Sequence, residues 1–337
     1  MPVAAPWSAI HPVVALCGGV GGAKLVAGLA DLLPADALTV VVNTADDFRR
    51  YGLHISPDLD TVLYTLARRA NPATGWGLAE DTDGVMDALR SLGDDPWFHL
   101  GDRDLATHLL RTSWLAGGLS LTEVTRRLGE RLRVTVPVLP MSDDPVATVV
   151  ETGDGDREFQ TWFVRDRCQP PATGVRYAGI ELARPSAAVL AVLARARAVI
   201  LSPSNPFLSL GPILALPGIR DYLRATSAAV VAVSPIVGER ALKGPTAEMM
   251  RALVGAVSAR TVADLYVDFL DGFVIDARDA DLAAHIAPLG PSLSTCDTIM
   301  NAPRDRRRVA AATLDLAREM ATDRGDGPAP PRHQGRP

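Results

Sequence analysis

The sequence predicts an α/β fold, namely a Rossmann-like, doubly wound and mostly parallel sheet with a helical insertion. Two short apolar runs, Val13–Cys17 and Leu38–Val42, have the composition of strands that are buried on both faces. A helical segment, Ala23–Leu33, lies between them, and the glycine-rich turn Gly18–Gly22 joins the first strand to it. Strand, crossover helix and strand in this order favour a parallel sheet with a right-handed connection.

The next helix begins at Ser56, which is a good N-cap, with Pro57 at the first helical position. Residues from about 72 to 132 carry helical patterns and little strand signal, so we interpret them as the insertion over the sheet; Ser120 and Glu123 form a capping box within it. Further strands are predicted over Val134–Leu139, Ala147–Glu151, Phe159–Val164, Ala198–Leu201, Ala228–Ser234 and Gly272–Asp276. Further helices are predicted over Ser186–Arg197, Ala247–Val257 and Arg304–Met320.

Composition is that of an ordinary globular chain, with 47% hydrophobic and 22% charged residues among 337. We expect a single domain over residues 1–321. The tail, residues 322–337, is rich in Pro, Gly and charged residues and is predicted to be disordered.

The charge balance and the cysteines exclude several classes of function. The formal net charge is -5 and no basic stripe stands out, which argues against nucleic acid as a partner. Three widely spaced cysteines give neither a disulfide framework nor zinc spacing. The N-terminus lacks the basic segment of a signal peptide, and its apolar run is too short to cross a bilayer. We therefore expect a cytoplasmic protein without a membrane partner.

The glycine turn is the first candidate site. Gly18, Gly19, Gly21 and Gly22 lead from a strand into a helix N-terminus, where backbone N–H groups and the helix dipole attract phosphate. Lys24 stands where the dinucleotide fingerprint has its third glycine, and the sequence is not a Walker A loop either. A tight strand-to-helix turn without a ligand is the alternative.

A group of carboxylates follows the second strand. Asp46 and Asp47 lie just beyond its end, where open α/β sheets bind ligands, and adjacent carboxylates repel unless a cation or a proton separates them. Asp58 and Asp60 fall in the first turn of the next helix. Stabilisation of the helix dipole is the alternative role for these two.

The segment around residue 103 offers a possible phosphate ligand. Arg103 could grip a phosphate, and Asp104 could cap the helix that follows. A capped helix with a solvated arginine is the alternative. His108 lies inside this helix, where a packing role is favoured over a catalytic one.

Two proline-rich loops follow later strands. The first, from Ser202 to Pro212, supplies hydroxyl and amide groups through Ser202, Ser204 and Asn205. The second, from Ser234 to Pro245, offers Lys243. Stiff loops lower the entropic cost of holding a ligand, so two of them after parallel strands favour one shared site. Proline-rich turns without a ligand are the alternative.

These segments together resemble the 2-phospho-L-lactate transferase family of coenzyme F420 biosynthesis. The matching segments occur in the family's order, and they are Gly18–Lys24, Val42–Asp47, His54–Thr65, Gly101–His108, Ser202–Pro206 and Lys243–Pro245. The resemblance implies an enzyme of the EC 2.7.8 class that is a homodimer and requires a divalent metal, usually Mg²⁺.

The resemblance also implies the reaction. The terminal ribityl hydroxyl of the deazaflavin FO attacks the phosphorus of a guanosine diphospho donor that carries phospholactate, phosphoenolpyruvate or phosphoglycerate, and GMP leaves. Which acid the donor carries stays open. The aspartate-rich segment would lie at the FO and metal site, and the glycine turn and later loops would surround the nucleotide.

Roles for single residues follow from the resemblance and from the chemistry of phosphoryl transfer. Asp46 and Asp47 would hold the metal, and Asp60 would orient or deprotonate the ribityl hydroxyl. Arg103 and Lys243 would neutralise phosphate charge. The substrates would also contact four residues of the matching segments, namely Asn43, Thr44, His54 and Asp58.

Two other functions compete with this one. A related group of nucleotide-sugar-binding regulatory proteins shares the glycine turn and the Asp pair, but continues with a glycine- and serine-rich stretch where this chain has Phe48–Asp58. A nicotinamide-dependent dehydrogenase would need the dinucleotide fingerprint and an acidic residue where Asn43 stands, so no nicotinamide cofactor is expected.

Overall fold

A computed structural model describes residues 6–241 and 244–324. The strands are β1 Val13–Cys17, β2 Leu38–Val42, β3 Phe48–Arg50, β4 Leu53–Ile55, β5 Val138–Pro140, β6 Ala147–Thr152, β7 Arg157–Glu158, β8 Ala172–Ala178, β9 Ala198–Leu201, β10 Ala229–Val233, β11 Ile236–Val237, β12 Arg240–Ala241, β13 Gly272–Asp276 and β14 Ser292–Cys296. The α-helices are α1 Gly19–Leu32, α2 Pro57–Leu66, α3 Gly84–Ser91, α4 Asp102–Ala116, α5 Leu121–Arg131, α6 Ala187–Leu193, α7 Leu210–Ala215, α8 Ile219–Ala225, α9 Thr246–Val254, α10 Ala259–Tyr266, α11 Ala283–Ile286 and α12 Pro303–Arg324.

Seven strands form one sheet in the order β14-β13-β10-β9-β1-β2-β5, and every neighbouring pair is parallel. The chain runs outward from β1 to β5 on one side and from β9 to β14 on the other. The order therefore reverses between β1 and β9, which is the switch point at which doubly wound sheets bind ligands.

The sheet separates two apolar cores, and β1 shows how the sequence builds both. Its five residues are all buried. Val13, Ala15 and Cys17 pack with α1, α2, α5 and α12, whereas Val14 and Leu16 face the opposite core with α6, α7, α8 and α10. Because strand side chains alternate between faces, a strand covered on both sides must be apolar at every position.

Smaller sheets stand over the carboxyl edge of the main sheet. The antiparallel sheet β7-β6-β8 is tied to the loop after β2, since the N–H of Thr148 donates to the carbonyl of Ala45 over 2.7 Å. The hairpin β3–β4 follows the Asp pair directly and leads into α2.

The predicted fold class is confirmed, including the helices α3 to α5 of the insertion. Several predicted elements were wrong. The strand expected at Phe159–Val164 is instead a π-helical turn at Thr161–Arg165, and β6 pairs with β7 and β8. Phe159 and Trp162 are both buried, and their spacing in the sequence resembles the apolar pattern of a strand. In the structure these side chains lie on one side of a helical turn.

Other boundaries moved. The strand predicted at Val134–Leu139 begins only at Val138, and the helix predicted at Ser186–Arg197 ends at Leu193. The edge strand β14 was not predicted, because its residues are exposed or half-buried and its two serines carry a weak strand signal. Helix α12 continues to Arg324, three residues into the predicted tail; residues 325–337 lie outside the described part of the chain. Within the described residues, no helix has the length and apolarity that crossing a bilayer demands.

Candidate functional site

A cavity of about 950 Å³ opens at the carboxyl edge of the sheet, beside the switch point. Loops after β1, β2, β9, β10 and β14 line it, together with the helical insertion. The volume lies at the upper end of the range of about 300–1,000 Å³ that is usual for small-molecule sites. One continuous space can therefore hold a ligand of substantial size, or two ligands side by side.

The loops after β1 and β9 meet through Ser204. Its Oγ accepts the N–H of Gly18 over 3.2 Å and donates to the carbonyl of Gly18 over 2.8 Å. This contact joins residues 186 positions apart in the chain and holds the glycine turn against the second loop. The structure thus brings the glycine turn and this loop together at one edge of the sheet.

The N-terminus of α1 is capped by a carboxylate from α2. Asp58 Oδ1 accepts the N–H of Gly19 over 2.8 Å, and Oδ2 accepts the side-chain amide of Asn43 over 3.0 Å. Asn43 also donates to the carbonyl of Leu208 over 3.1 Å. The anion at this helix N-terminus is thus supplied by the chain itself, at the place where the sequence suggested a phosphate.

Contacts within the protein also explain why the turn consists of glycines. Gly19 has a φ of +63°, which glycine adopts without strain. A Cβ at Gly21 would lie 2.5 Å from the carbonyl oxygen of Pro203, and one at Gly22 would lie 2.5 Å from Ser204 Oγ. Close packing against the loop after β9 therefore requires glycine at positions 21 and 22. That they also contact a nucleotide stays a prediction.

The two carboxylates after β2 have different environments. Asp46 lines the cavity, and its Oδ1 has no hydrogen-bond partner among the described residues. Asp47 is not among the residues that line the cavity, and its Oδ2 accepts from Ser56 Oγ over 2.6 Å and lies 3.0 Å from His54 Nε2. Ser56 occupies the predicted N-cap position of α2, but its hydroxyl binds Asp47 instead of the helix backbone.

Burial raises the pKa values of three of these carboxyl groups. Asp46 has a pKa well above its ordinary value, first because it is buried and next because Asp58 lies nearby. Burial raises the pKa of Asp58 to about 6, against the hydrogen bonds from Asn43 and Gly19. For Asp47, burial raises the pKa although hydrogen bonds from His54 and Ser56 oppose the shift. Negative charge here is costly, so the site favours a proton or a cation.

A second polar group lies on the facing helices α2 and α4. Arg111 is almost fully buried and pairs with Asp60 through both guanidinium Nη atoms, one of them at 3.1 Å. The Nη1 atom of Arg111, which donates to Asp60 over 3.1 Å, also lies 3.1 Å from His108 Nδ1. Asp104 accepts the hydroxyl of Tyr64 over 2.6 Å, and His108 Nε2 lies 3.5 Å from Asp104. Of these residues, only Arg111 does not line the cavity.

This second group has the composition of a metal site but already contains a cation. Ligand atoms of Asp60, Asp104 and His108 all lie within 4.8 Å of one another. Arg111, however, occupies both oxygens of Asp60 and contacts His108. The positive charge that these carboxylates need is therefore supplied by a side chain. The unpartnered oxygens of Asp46, Asp47 and neighbouring Thr44 make the end of β2 the better place for an added ion.

Aromatic side chains form one wall of the cavity. Phe159 and Phe163 stack with ring centroids 5.4 Å apart and an interplanar angle of 7°. Trp97 and Phe98 contact each other edge to face at 5.9 Å, and Trp76 also lines this region. The wall stands near the aspartates, since Gln160 donates to the carbonyl of Asp46 over 3.4 Å. It presents the flat apolar surfaces on which a planar ring system would stack.

The opposite region of the cavity is formed by loops of the sheet's other half. Ser234 and Pro235 follow β10, and residues 298–301 follow β14. Asn205 uses its Oδ1 to accept the N–H groups of Phe207 and Leu208, so its side chain shapes its own loop. Ser202 is buried with an unpartnered Oγ. Lys243 lies outside the described residues, although Gly244 beside it lines the cavity.

The cavity brings together a large part of the predicted site, namely Gly18, Gly19, Gly21, Lys24, Asp46, Asp58, Asp60, Ser204 and Asn205. Other predicted residues stand behind this lining, namely Gly22, Asn43, Thr44, Asp47, His54 and Ser202. Arg103 is exposed and does not line the cavity. The expected cap by Asp104 was also wrong, because Asp81 accepts the N–H groups of Arg103 and Asp104.

Sequence reasoning missed Arg111, the buried arginine of the site. A signal was present. Asp104, His108 and Arg111 recur at spacings of four and three, which places all three on one face of α4. Polar residues at helical spacing beside apolar Leu105 indicate a face that is buried around a polar centre.

A doubly wound parallel sheet, with polar loops and carboxylates gathered at its switch point, defines a Rossmann-like α/β protein built to bind ligands there. Solved structures show the same fold: a member of the UPF0052 family from Bacillus halodurans aligns with a TM-score of 0.61 and 16% identity over 90% of this chain and 99% of its own. At that identity the likeness concerns the fold alone.

Sequence comparison identifies the family. The profile of the family described as 2-phospho-L-lactate transferase CofD matches residues 13–303. A Methanosarcina mazei protein named 2-phospho-L-lactate transferase is 40% identical over 88% of this chain and 98% of its own length. A Thermobifida fusca protein named phosphoenolpyruvate transferase is also 40% identical, over 91% of this chain and 98% of its own. The chain belongs to the CofD family, and it is a transferase.

Proposed function

We propose that this enzyme transfers a phosphorylated three-carbon acid from a guanosine diphospho donor to the ribityl hydroxyl of the deazaflavin FO, and releases GMP, in coenzyme F420 biosynthesis. Membership of the CofD family supports the type of transfer. The observation that carries the choice of ligands is the single cavity that connects an aromatic wall, a cluster of carboxylates and a set of polar loops. The aromatic wall suits a planar acceptor, the carboxylates suit the site of the reacting phosphate, and the polar loops suit a nucleotide.

The aromatic wall suits the acceptor. Phe159, Phe163 and Trp97 offer flat faces for a tricyclic ring, and Asp60 and Asp104 stand close enough in the same cavity to meet a hydroxylated side chain. The donor would then lie towards the loops after β9, β10 and β14. Lys24 on α1 lines the cavity and would contribute positive charge towards its phosphates.

A divalent ion fits the end of β2. Asp46 and Asp47 each have a buried oxygen without a hydrogen-bond partner, and Thr44 adds a hydroxyl in the same state. Carboxylate oxygens, together with water and substrate phosphates, are the ligands that Mg²⁺ prefers. When bound, the ion would neutralise charge on the diphosphate. Asp46 is the better ligand of the pair, because Asp47 is held by Ser56 and His54.

Asp60 is better placed to orient the acceptor than to deprotonate it. Its two oxygens are paired with Arg111, which fixes the orientation of the carboxylate and uses one lone pair of each oxygen. An ionised carboxylate still accepts a hydrogen bond from a hydroxyl. Correct positioning of the hydroxyl accounts for much of the rate of a phosphoryl transfer.

The comparisons do not decide which acid the donor carries, because relatives named for different acids are equally similar at 40% identity. The test combines the purified chain, FO and Mg²⁺ with guanosine diphospho donors that carry phospholactate, phosphoenolpyruvate or phosphoglycerate, each in a separate assay. Mass spectrometry should find FO extended by one of the acids, together with equimolar GMP. The matched control is the adenosine diphospho donor of the same acid. Binding of donor without release of GMP would instead favour a nucleotide-sugar-binding regulatory protein.

A further inference from the structure

The polar group on α2 and α4 has a fixed direction of hydrogen bonding, and Arg111 sets it. A guanidinium group has only donors and stays charged in proteins. An N–H of Arg111 Nη1 points at His108 Nδ1 over 3.1 Å, so Nδ1 must offer a lone pair. The hydrogen of the neutral imidazole therefore lies on Nε2.

The Nε2–H faces Asp104, and His108 is one of the residues that line the cavity. Nε2 lies 3.5 Å from Asp104 Oδ2 and has no hydrogen-bond partner among the residues described, although the side chain is only 2% exposed. Burial works against the charged form of Asp104, but His108 and the hydroxyl of Tyr64 hold the pKa of this carboxyl below its usual value. Asp104 is thus kept ionised by His108 and Tyr64, which line the cavity beside it.

Asp60 is held by a different partner, Arg111. Arg111 binds both of its oxygens, and neither residue is exposed by more than 7% at the side chain. The result is two buried carboxylates, each with lone pairs to spare and each lining the cavity beside the aromatic wall. Such a pair accepts hydrogen bonds and has none to donate, so it selects a ligand that carries hydroxyl groups and rejects one that carries anionic oxygens.

We propose that Asp60 and Asp104 bind neighbouring hydroxyls of the acceptor's polyol chain, and that Arg111 and His108 are positioning residues that hold these carboxylates as acceptors. The assignment rests on the proposed function, since it names the part of the acceptor that this subsite recognises. It gives His108 a role that its place inside a helix concealed.

The first test reads the tautomer and is independent of activity. In protein labelled with ¹⁵N at histidine, long-range ¹H–¹⁵N spectra should show His108 with its hydrogen on Nε2. The variant Arg111→Gln should lose this fixed pattern, whereas the same spectra of exposed His285 should not change. A hydrogen on Nδ1 of His108 in the unaltered protein would overturn the proposal.

The second test measures binding by fluorescence with two ligands: FO, and the same ring system with a methyl group in place of the ribityl chain. His108→Asn keeps an acceptor for Arg111 but loses the donor towards Asp104, and His108→Gln restores a donor near the position of Nε2. We expect His108→Asn to weaken FO roughly tenfold, as for one lost hydrogen bond to a charged group, and to leave the chainless ligand unaffected. His108→Gln should be closer to the unaltered protein.

Controls separate the possible failures. His285→Asn repeats the substitution at an exposed histidine and should change neither affinity. If His108→Asn does not fold, Tyr64→Phe removes the other donor to Asp104 and should give the same selective loss of FO. Equal weakening of both ligands, or of neither, would overturn the subsite. If the unaltered protein does not bind FO at all, the proposed function fails, and the tautomer measurement still decides the role of Arg111.

Discussion

Asp58 and Gly19 connect the first turns of two helices: Oδ1 of the aspartate accepts the backbone N–H of the glycine over 2.8 Å. The carboxylate stands at the N-terminus of α1 while its own residue belongs to the first turn of α2. Its second oxygen binds Asn43 at the end of β2. One side chain therefore fixes the relative positions of the glycine turn, the Asp pair and α2.

Asp58→Ala should destabilise the protein by about 1–3 kcal/mol, because the N–H of Gly19 and the amide of Asn43 would be left buried without an acceptor. The measurement is urea unfolding at pH 7 followed by circular dichroism. Asp221→Ala, at an exposed aspartate of α8, is the control and should lie within about 0.5 kcal/mol of the unaltered chain. An equal effect of the two substitutions would show that the cap contributes nothing.

The raised pKa of Asp58 predicts how stability changes with pH. In the folded chain burial raises this pKa from 3.8 to about 6, so the folded state keeps a proton that the unfolded state has already released. The free energy of unfolding should therefore fall as pH rises from about 4 to about 6, by at most about 3 kcal/mol from this group. Asp46 should add to the fall, since its pKa is also raised.

Urea unfolding at several pH values, with a chelator present, tests this slope. Asp58→Asn removes the titrating group, and the loss of its charge also eases the ionisation of Asp46, so the slope between pH 4 and 6 should become shallower. A slope that is unchanged in the variant would assign the pH dependence to other groups.

The contacts of Gly21 predict a structural effect of substitution. Gly21→Ala would place a Cβ 2.5 Å from the carbonyl oxygen of Pro203, and the backbone there cannot yield cheaply. We expect a loss of about 1–3 kcal/mol in the free energy of unfolding. Gly129→Ala is the matched control: this glycine lies within α5, and its Cβ would meet only Leu63 Cδ2 at 3.6 Å.

In a helix interior, alanine is more stable than glycine by about 0.5–1 kcal/mol, so Gly129→Ala should be neutral or stabilising. Thermal unfolding of both variants decides the matter. If Gly21→Ala is as stable as the unaltered chain and only its donor affinity falls, close packing is not the reason for this glycine and a bound nucleotide is.

The sequence sufficed to place the site but not to assign its contacts. Strand ends can be recognised from apolar runs, and the topology of parallel sheets brings those ends to one edge; for this reason the sequence predicts that Asp46, Ser204 and the glycine turn lie near one another, and all of them contribute to the lining of the cavity. The partner of Asp58 could not be foreseen, because nothing local shows that the first turn of α2 faces the N-terminus of α1.

Arg103 and Arg111 show the same limit on one helix. Both are arginines of α4, and the family resemblance drew attention to the first. Their spacing of eight residues cannot tell which one is buried until the packing of α4 against α2 and β4 is known. The helix turns Arg111 inward to Asp60 and leaves Arg103 exposed. Burial of a charge is decided by tertiary contacts, which local sequence does not record.

Asp46→Asn should separate activity from stability. Burial and the neighbouring Asp58 make the charge of Asp46 unfavourable in the folded chain, so its removal should leave the melting temperature unchanged or higher. If Asp46 holds the metal, turnover should fall by on the order of 100-fold or more, and more Mg²⁺ should be needed for half-maximal rate. Asp221→Asn is the control. Near-normal turnover of Asp46→Asn would contradict the assignment.

The aromatic wall makes a prediction about acceptor binding that a matched pair of tryptophans can test. Trp97 and Trp114 are both half-buried, and each has an arginine over its ring: Arg50 lies 5.2 Å from the centroid of Trp97, and Arg131 lies 4.5 Å from that of Trp114. Only Trp97 lines the cavity. Stacking on an aromatic face contributes about 0.5–1.5 kcal/mol beyond the apolar area that it buries.

Trp97→Leu should therefore raise the dissociation constant of FO by about threefold to tenfold, while the KM of the guanosine diphospho donor stays the same. Trp114→Leu loses the same ring and a similar cation contact, but should bind FO normally. Fluorescence titration of FO measures the first quantity, and initial rates of GMP release measure the second. Equal FO affinities of the two variants would place the deazaflavin ring elsewhere, and a raised donor KM in Trp97→Leu alone would assign this wall to the nucleotide.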